Sequence, residues 1–169
     1  MLWNNYPEKL DNLTLQGAYQ TLQGDPPAKI PPMVWLLENP SSPFALPGNI
    51  DLFGHDCIHL LLKKGFTSDD EAYVVGFTMG NDLRTNWLHL LIFKIFALFL
   101  YPPKYRISYQ QLQILNEGLE LGRKTQCKNL NQICLKSYGD RVLHELRAEL
   151  SIAIEVSNKP NHFMAEEII

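Results

Sequence analysis

Residues 54–71 read GHDCIHLLLKKGFTSDDE, and this stretch predicts a helical hairpin. Its first half is apolar at helical spacing, Gly65 is a typical helix stop, and the acids that follow suit the first turn of another helix. We expect the first helix to span residues 49–63, with Asn49 as its N-cap, and the second to span residues 68–80. The way this hairpin closes decides which polar side chains can meet.

The rest of the chain continues the helical pattern, without a run of alternating β-type residues. Residues 26–47 hold seven of the eleven prolines, which predicts a long ordered loop around the domain instead of a helix. The predicted fold is an all-α, single-domain helical bundle with a Pro-rich N-terminal loop. Further helices are expected at residues 13–23, 86–101, 108–126, 128–137 and 140–156, the last capped by Asp140.

Length and composition describe one globular domain. The chain has 169 residues, of which 46% are hydrophobic and 20% charged, and its formal net charge is −3. No segment is strongly basic, so nucleic acid is not expected as a partner. An odd number of cysteines, three, argues against a disulfide framework and for a reducing compartment. We divide the chain into an N-terminal arm with the Pro-rich loop (1–48), a helical domain (49–157) and a flexible tail (158–169).

Two histidines and two acids of the hairpin have the spacing of a metal site. On a helix, His55 and His59 project from one face, about 6 Å apart at Cβ. Glu71 begins the next helix and can return over this face. Asp56 is turned about 100° around the helix axis, so it either ligates the ion or orients a histidine. This mixed ligand set suits Zn²⁺ best, with Fe²⁺, Mn²⁺ and Mg²⁺ as alternatives.

The same residues also have an interpretation that needs no metal. Ser68 and Glu71 have the spacing of a capping box, in which the Glu71 carboxylate turns back to the start of its own helix. His55 and His59 are then surface residues or hydrogen-bonded core residues. The two interpretations differ in where the side chain of Glu71 points.

Residues 87–101 (WLHLLIFKIFALFLY) are apolar nearly all round a helix. The segment is shorter than the ~20 residues that span a bilayer. It is either a central helix of the core or a helix that lines a lipid pocket or touches a membrane surface. Under the second interpretation the lipid-contacting candidates are Ile92, Phe93, Phe96 and Phe99, and the head-group candidates are Arg84, Lys104 and Arg106.

The hairpin pattern, His55-Asp56-x-x-His59 followed by eleven residues and Glu71, resembles the HDxxH-x11-E metal motif of the coenzyme Q biosynthesis protein 4 family. The sequences EAYVVGFTMG after the motif and LHELRAELSI near the end are similar to that family too, so the resemblance covers roughly residues 50–152. It implies an all-helical fold and a divalent metal held by the four motif residues. It further implies ubiquinone biosynthesis, either through C1 decarboxylation and hydroxylation of a prenylated head group or through organising the biosynthetic complex.

Three functions follow as hypotheses. The first is a metal-dependent protein, most simply an enzyme of lyase or oxidative decarboxylase type. It binds a polyprenyl lipid or prenylated quinone precursor, with catalysis centred on the metal. The second is a non-enzymatic scaffold for a membrane or a biosynthetic complex. The third, a metal-dependent phosphohydrolase, is disfavoured because no histidine precedes His55.

The N-terminus carries early acids and no apolar run, so we expect neither a signal peptide nor a transmembrane segment. The expected location is the cytoplasm, with a peripheral position on the inner membrane face as the alternative. A homodimer is an open alternative to a monomer.

Overall fold

The computed structural model describes residues 6–22 and 31–153. Within these ranges the chain is helical, without a strand but with one isolated antiparallel bridge between Thr14 and Val142, so the all-α prediction is confirmed. The α-helices of the described ranges are α1 (Leu15–Gln20), α2 (Pro32–Glu38), α3 (Leu52–Leu62), α4 (Ser68–Asn81), α5 (Trp87–Ile95), α6 (Tyr109–Lys124) and α7 (Leu143–Glu149).

The central helix α4 lies between two hydrophobic cores. Through Val74 and Phe77 it contributes to a core shared with α1, α3 and α7. Through Ala72 and Met79 it contributes to a second core shared with α2, α5 and α6. Because Glu71 lies in the first turn of α4, its carboxylate is placed where the two halves of the molecule meet.

The most extensive helix contact joins α4 and α6, and two pairs of glycines make it close. Gly76 and Gly80 on α4 face α6, and Gly118 and Gly122 on α6 face α4. A Cβ atom added at any of the four would lie 2.1 or 2.2 Å from a backbone carbonyl oxygen of the other helix. Small residues four apart allow two helix backbones to touch, which larger side chains prevent. This contact fixes α4 against the second half of the molecule.

The start of α3 differs from the prediction. The helix begins at Leu52, and Asp51 caps it by accepting a hydrogen bond from the amide three residues on. Asn49 does not cap, because its carbonyl oxygen accepts a hydrogen bond from the side chain of Asn131 and is held outside the helix. Both Asn49 and Asp51 are good N-cap residues, so a distant contact decides between them.

The end of α3 is secured by the N-terminal arm and by α7. Lys63, not Gly65, adopts the left-handed conformation after the helix, with φ 54°. Its ammonium forms an ion pair with Asp11. Arg147 on α7 donates hydrogen bonds to the carbonyl oxygens of the two residues before the last one of α3. These contacts satisfy acceptors that a helix end leaves open, and they hold the histidine-bearing helix in place.

The Pro-rich segment contains a helix where the sequence predicts a loop. In α2, Pro32 is the first helical residue, a position at which the missing N–H of proline costs no hydrogen bond. Val34 and Leu37 of this helix enter the second core. The prolines therefore limit the length of the helix without preventing it, and the loop prediction is wrong here.

The apolar segment after α4 is a surface helix with one buried face. The regular helix α5 (Trp87–Ile95) continues into a wider π-helical turn (Phe96–Leu100), in which the amide of Tyr101 bonds the carbonyl five residues earlier. Phe93 and Ala97 are buried in the second core. The interpretation of this segment as a central core helix is therefore wrong.

Of the two helices predicted after α6, the second is shorter than predicted and the first forms only 3₁₀ turns. Asp140 does not cap the last one, because the backbone around Val142 pairs with that around Thr14 in the antiparallel bridge, and α7 starts only at Leu143. The region predicted as a helix over residues 128–137 forms two short 3₁₀ turns, Leu130–Gln132 and Leu135–Tyr138.

The predicted domain boundary at residue 48 stays a prediction. Leu10 and Leu15 lie in the first core and α2 in the second, so residues before the boundary share both cores with residues after it. The predicted tail at 158–169, and residues 26–30 of the Pro-rich segment, lie outside the described residues. None of the helices in the described ranges has both the length and the apolar character required to cross a membrane.

Candidate metal centre

The start of α4 decides where Glu71 points. Thr67 caps the helix: its hydroxyl accepts a hydrogen bond from the amide of Asp70 at 3.2 Å, and the Asp70 carboxylate accepts from the amide of Thr67 at 3.4 Å. The capping box is therefore Thr67-x-x-Asp70, one residue earlier than the pair that the sequence suggests. Because Asp70 does the capping, the carboxylate of Glu71 is free to turn towards α3.

Three ligand atoms converge between α3 and α4. One ring nitrogen of His55, one of His59 and one oxygen of Glu71 all lie within 4.8 Å of one another. Glu71 Oε2 is 3.4 Å from His55 Nε2 and 3.6 Å from His59 Nε2. Ligands at the corners of a tetrahedron, each about 2.1 Å from a zinc ion, are about 3.4 Å apart. The group could therefore hold a metal ion.

A buried ring nitrogen without a partner gives the strongest test of this fit. The His59 side chain is 0% exposed, and its Nδ1 lies 2.6 Å from the carbonyl oxygen of Gly65. A carbonyl oxygen only accepts, so Nδ1 carries the proton and Nε2 of the neutral ring presents a lone pair. Among the described residues, His59 Nε2 has no hydrogen-bond partner. A buried lone pair beside a carboxylate calls for a positive charge between them, which a metal ion or a proton can supply.

Two aromatic contacts fix the orientation of the His59 ring. Phe66 stacks against it, with ring centroids 4.4 Å apart and planes 16° apart. The ring of His55 approaches it edge-on, with centroids 4.7 Å apart. With the hydrogen bond to Gly65, these contacts leave the ring little freedom, so its free nitrogen is held towards Glu71.

Asp56 lies on the outer side of His55. Its Oδ1 is 3.8 Å from His55 Nδ1, whereas His55 Nε2 faces Glu71. Asp56 is not one of the converging groups, and of its two predicted roles the geometry favours orienting the histidine. Direct ligation by Asp56 stays a prediction.

The ionisable groups of the site shift one another's pKa values. Burial disfavours the charged form of His55, but the carboxylates around it outweigh burial and raise its pKa. Burial likewise disfavours the charged form of Glu71, but His59 and His55 outweigh burial and hold the pKa of that carboxyl below its ordinary value. The carboxylate thus stays ionised at neutral pH, as a metal ligand must.

Two cavities adjoin the candidate metal centre. The smaller one, about 200 Å³, is walled by apolar side chains of α2, α4 and the loop before α3, and it reaches His55. The larger one, about 430 Å³, extends past the π-helical turn. Glu71 lines both cavities, and so does Glu38, the last residue of α2. A ligand in the smaller cavity therefore lies next to His55 and Glu71, and a ligand in the larger cavity lies next to Glu71.

The predicted lipid-contacting residues are divided between core and surface. Phe93 lines both cavities. Ile92 and Phe96 are half-buried against the second core, and Phe99 is 56% exposed. The apolar walls come instead from residues that the sequence did not single out, chiefly on α2 and α4.

The predicted head-group residues are divided too. Lys104 and Arg106 line the larger cavity. Arg84 lines neither cavity, because its guanidinium is bound to the buried carboxylate of Asp82, with Nη2 2.7 Å from Oδ2. Arg84 thus serves the fold and not the cavities.

Sequence reasoning missed Glu38 and Tyr101. Glu38 closes the apolar run MVWLLE inside the segment predicted as a loop, and Tyr101 follows the π-helical turn. The Tyr101 hydroxyl donates a hydrogen bond of 2.6 Å to Glu38 Oε1. The available signal was the proline at the start of this run, because proline is favoured at the first position of a helix, but it does not show where Glu38 points.

Comparison with known proteins does not identify a family for this chain. No protein-family model, curated protein or solved structure matches it significantly. The resemblance to the coenzyme Q biosynthesis protein 4 family therefore depends on the hairpin motif and its context, and it remains a hypothesis.

Proposed function

We propose that this chain is a metal-binding protein of the isoprenoid-quinone biosynthesis type. It binds a polyprenyl lipid or prenylated quinone precursor and presents or modifies its polar head group. The observation that carries this proposal is the buried, unpartnered Nε2 of His59, which faces His55 and Glu71 beside two apolar cavities. Zn²⁺ suits these donors best, with Fe²⁺, Mn²⁺ and Mg²⁺ as alternatives.

A bound divalent ion supplies a Lewis acid that polarises a head-group oxygen or activates a water molecule. The chain's own residues supply the surroundings. His59 is fixed by Gly65 and Phe66, so its free nitrogen is oriented before the ion binds. The apolar cavity walls exclude water and shelter the tail, and Lys104 and Arg106 offer positive charge to an anionic group in the larger cavity. These features favour an enzyme of lyase or oxidative decarboxylase type over a protein that only presents the head group.

The metal site is tested by replacing Glu71 with glutamine, which keeps the volume but removes the anionic ligand. We expect zinc affinity to fall at least ~100-fold, because even groups that only orient metal ligands contribute 10- to 100-fold. Elemental analysis of protein purified without an affinity tag and dialysed against buffered zinc measures the occupancy.

Glu117→Gln, on the exposed side of α6, is the matched control and should keep full occupancy. His59→Ala should also lose stoichiometric zinc, and circular dichroism will report whether each variant keeps its helices. Full zinc occupancy in both Glu71→Gln and His59→Ala would reject the assignment.

A second candidate function is a non-enzymatic scaffold on a membrane or a biosynthetic complex. The observation that favours it is an exposed apolar face on α5 and the π-helical turn, with Trp87 74% and Phe99 56% exposed. Such a face suits the interface of a membrane, and a peripheral position on the inner membrane face stays a prediction. Pairing of two copies is the alternative use of the same face. The exposed apolar side chains are Trp87, Leu88, Leu91, Ile95, Phe99 and Leu100.

Vesicle flotation tests the second candidate. If the α5 face binds a membrane, the double substitution Leu91→Ser and Ile95→Ser is expected to weaken binding to anionic phospholipid vesicles by roughly tenfold or more, because each side chain loses apolar surface that the bilayer would bury. Tyr109→Ser, at a more exposed position on α6, is the control for loss of apolar surface outside this face. Equal flotation of the double variant and the wild type contradicts a membrane role for this face.

Native mass spectrometry of gently purified protein separates the two candidates. A co-purifying isoprenoid favours the metal-dependent lipid-binding function. An empty protein that floats with vesicles favours the scaffold.

A further inference from the structure

Glu38, the last residue of α2, is an acid that the two cavities share. It lines both cavities together with Glu71, although it comes from α2 and not from the hairpin. It does not belong to the converging group of His55, His59 and Glu71. A carboxylate at this place can contact whatever fills the cavities without being one of the three converging groups.

The contact with Tyr101 sets the hydrogen-bonding role of Glu38. Burial, together with the neighbouring Glu38, raises the pKa of the Tyr101 phenol above its ordinary value, so the tyrosine keeps its proton and donates it. Glu38 Oε1 is therefore an acceptor. Within the described part of the chain, Tyr101 is the one group with a hydrogen bond to this carboxylate. Burial raises the pKa of Glu38, whereas the hydrogen bond from Tyr101 and the charge of His55 favour its ionised form. In the ionised form the other oxygen, Oε2, is available to a donor in the cavities.

The surroundings define the ligand chemistry that satisfies this oxygen. The cavity walls near Glu38 are mainly apolar, formed by side chains such as Val34, Val75 and Phe93. A hydrocarbon without a donor would leave a buried carboxylate oxygen unpaired, which is costly. An anionic group placed directly beside this oxygen would meet the negative charges of Glu71 and of ionised Glu38, whereas Lys104 and Arg106 can pair with an anionic group elsewhere in the larger cavity. A neutral hydroxyl on an apolar body avoids both penalties.

We propose that Glu38, oriented by Tyr101, is a second binding group of this site and accepts a hydrogen bond from a hydroxyl group on an otherwise apolar ligand. This inference rests on the proposed function in one respect, namely that the ligand occupies the cavities beside the metal centre. It adds a residue outside the hairpin motif that recognises a hydroxyl group on this ligand.

Two probes that differ only in the donor test the proposal. 4-Hexylphenol carries the hydroxyl, and 4-hexylanisole replaces its hydrogen with a methyl group. The titrations are run at pH 8 to favour the ionised form of Glu38, whose pKa is raised by burial. We expect the zinc-loaded wild type to bind the phenol roughly tenfold more tightly than the ether in isothermal titration calorimetry, as a hydrogen bond to a charged acceptor predicts. Glu38→Gln should reduce this preference to about threefold or less, and Glu38→Met should abolish it.

Further variants separate Glu38 from the metal centre. Tyr101→Phe should weaken the preference for the phenol, because Glu38 loses its orienting donor, while Glu71→Gln should keep it. Zinc content measured on every variant should stay unchanged in Glu38→Gln and Glu38→Met. The exposed Glu117→Gln is the control for both readouts.

The outcomes distinguish failure of this inference from failure of the proposed function. A phenol preference that persists in Glu38→Met, or a wild type that binds both probes equally or neither, overturns the inference whether or not zinc binds. Loss of zinc in Glu38→Gln also overturns it, since Glu38 then acts on the metal. A wild type without zinc whose phenol preference depends on Glu38 overturns the metal function alone and supports the role of Glu38.

Discussion

The buried carboxylate of Asp82 ties together segments that are distant in the sequence. It accepts hydrogen bonds from the Gly48 amide at 2.8 Å and from the Asn131 side chain at 3.0 Å, and it forms two with the Arg84 guanidinium. Burial disfavours its charge, but these donors outweigh burial and hold the pKa of Asp82 well below its ordinary value. A single residue thus links the loop before α3, the end of α4 and the turns after α6.

We expect the free energy of unfolding of Asp82→Asn to fall less steeply with decreasing pH, in the acid range, than that of the wild type. Because the folded pKa lies below the unfolded value of ~3.9, ionisation stabilises the fold above that pH, and this contribution is lost as the pH falls through the folded pKa. Urea unfolding should show a loss of about 3 kcal/mol for Asp82→Asn at pH 7 and a much smaller one at pH 2. The exposed Asp140→Asn should change little at either pH, and a difference for Asp82→Asn that does not vary with pH contradicts this role.

Single residues also show what local sequence can and cannot reveal. The meeting of His55 and His59 was predictable, because an i, i+4 pair on a helix has fixed geometry. The outward position of Asp56 follows from the same geometry. Glu38 was not predictable, because its place beside Glu71 depends on packing between α2 and α4, which are distant in the sequence.

At the scale of helices, the glycine pairs of α4 and α6 carry a sharp prediction. In Gly118→Ala the new Cβ would lie 2.1 Å from the carbonyl oxygen of Tyr73, so the two helices must separate. We expect the free energy of unfolding to fall by about 3 kcal/mol, at the upper end of the cost of overpacking. Urea unfolding measures it, with Gly139→Ala as the control, because the closest approach there is 3.3 Å. A Gly118→Ala variant as stable as wild type would show that the helices are not held in this close contact.

The presence of the helices was more predictable than their boundaries, and the starts of α3 and α4 show the reason. Thr67 and Ser68 are both good caps, as are Asn49 and Asp51, so propensity does not choose between them. The hydrogen bond from Asn131 to the Asn49 carbonyl decides one start, and the pairing of Thr67 with Asp70 decides the other. A shift of one residue at the second start would have turned Glu71 into a capping residue and removed it from the site.

At the scale of the whole molecule, the candidate metal site joins the two cores. Its histidines lie on α3 in the first core, and Glu71 lies on α4, which belongs to both. A zinc ion bound only by the folded state, at 100 times its Kd, contributes about 2.7 kcal/mol to stability. For a chain of this size, we expect a rise in Tm of about 5–10 °C.

Thermal unfolding followed by circular dichroism, with and without buffered zinc, measures this shift. Glu71→Gln should show little or no rise, whereas Glu117→Gln should behave like the wild type. An equal rise in Glu71→Gln and wild type means that zinc binds elsewhere on the chain.

The fold class was predictable because helical periodicity persists along nearly the whole chain. The cavities were not, because their walls combine α2, α4, α5 and loops whose packing no local pattern specifies. The segment after α4 shows the same limit: its composition is apolar all round, yet only the packing of Phe93 and Ala97 reveals which side is covered.

The π-helical turn at Phe96–Leu100 makes the chain sensitive to length at this point. A turn of this kind holds one residue more than a regular helical turn, and Tyr101 follows it directly. Shortening the segment by one residue would rotate everything after it by about 100° and carry the phenol away from Glu38. Among homologous chains, a one-residue gap here would therefore mark a changed ligand preference more reliably than any exchange of one apolar side chain for another.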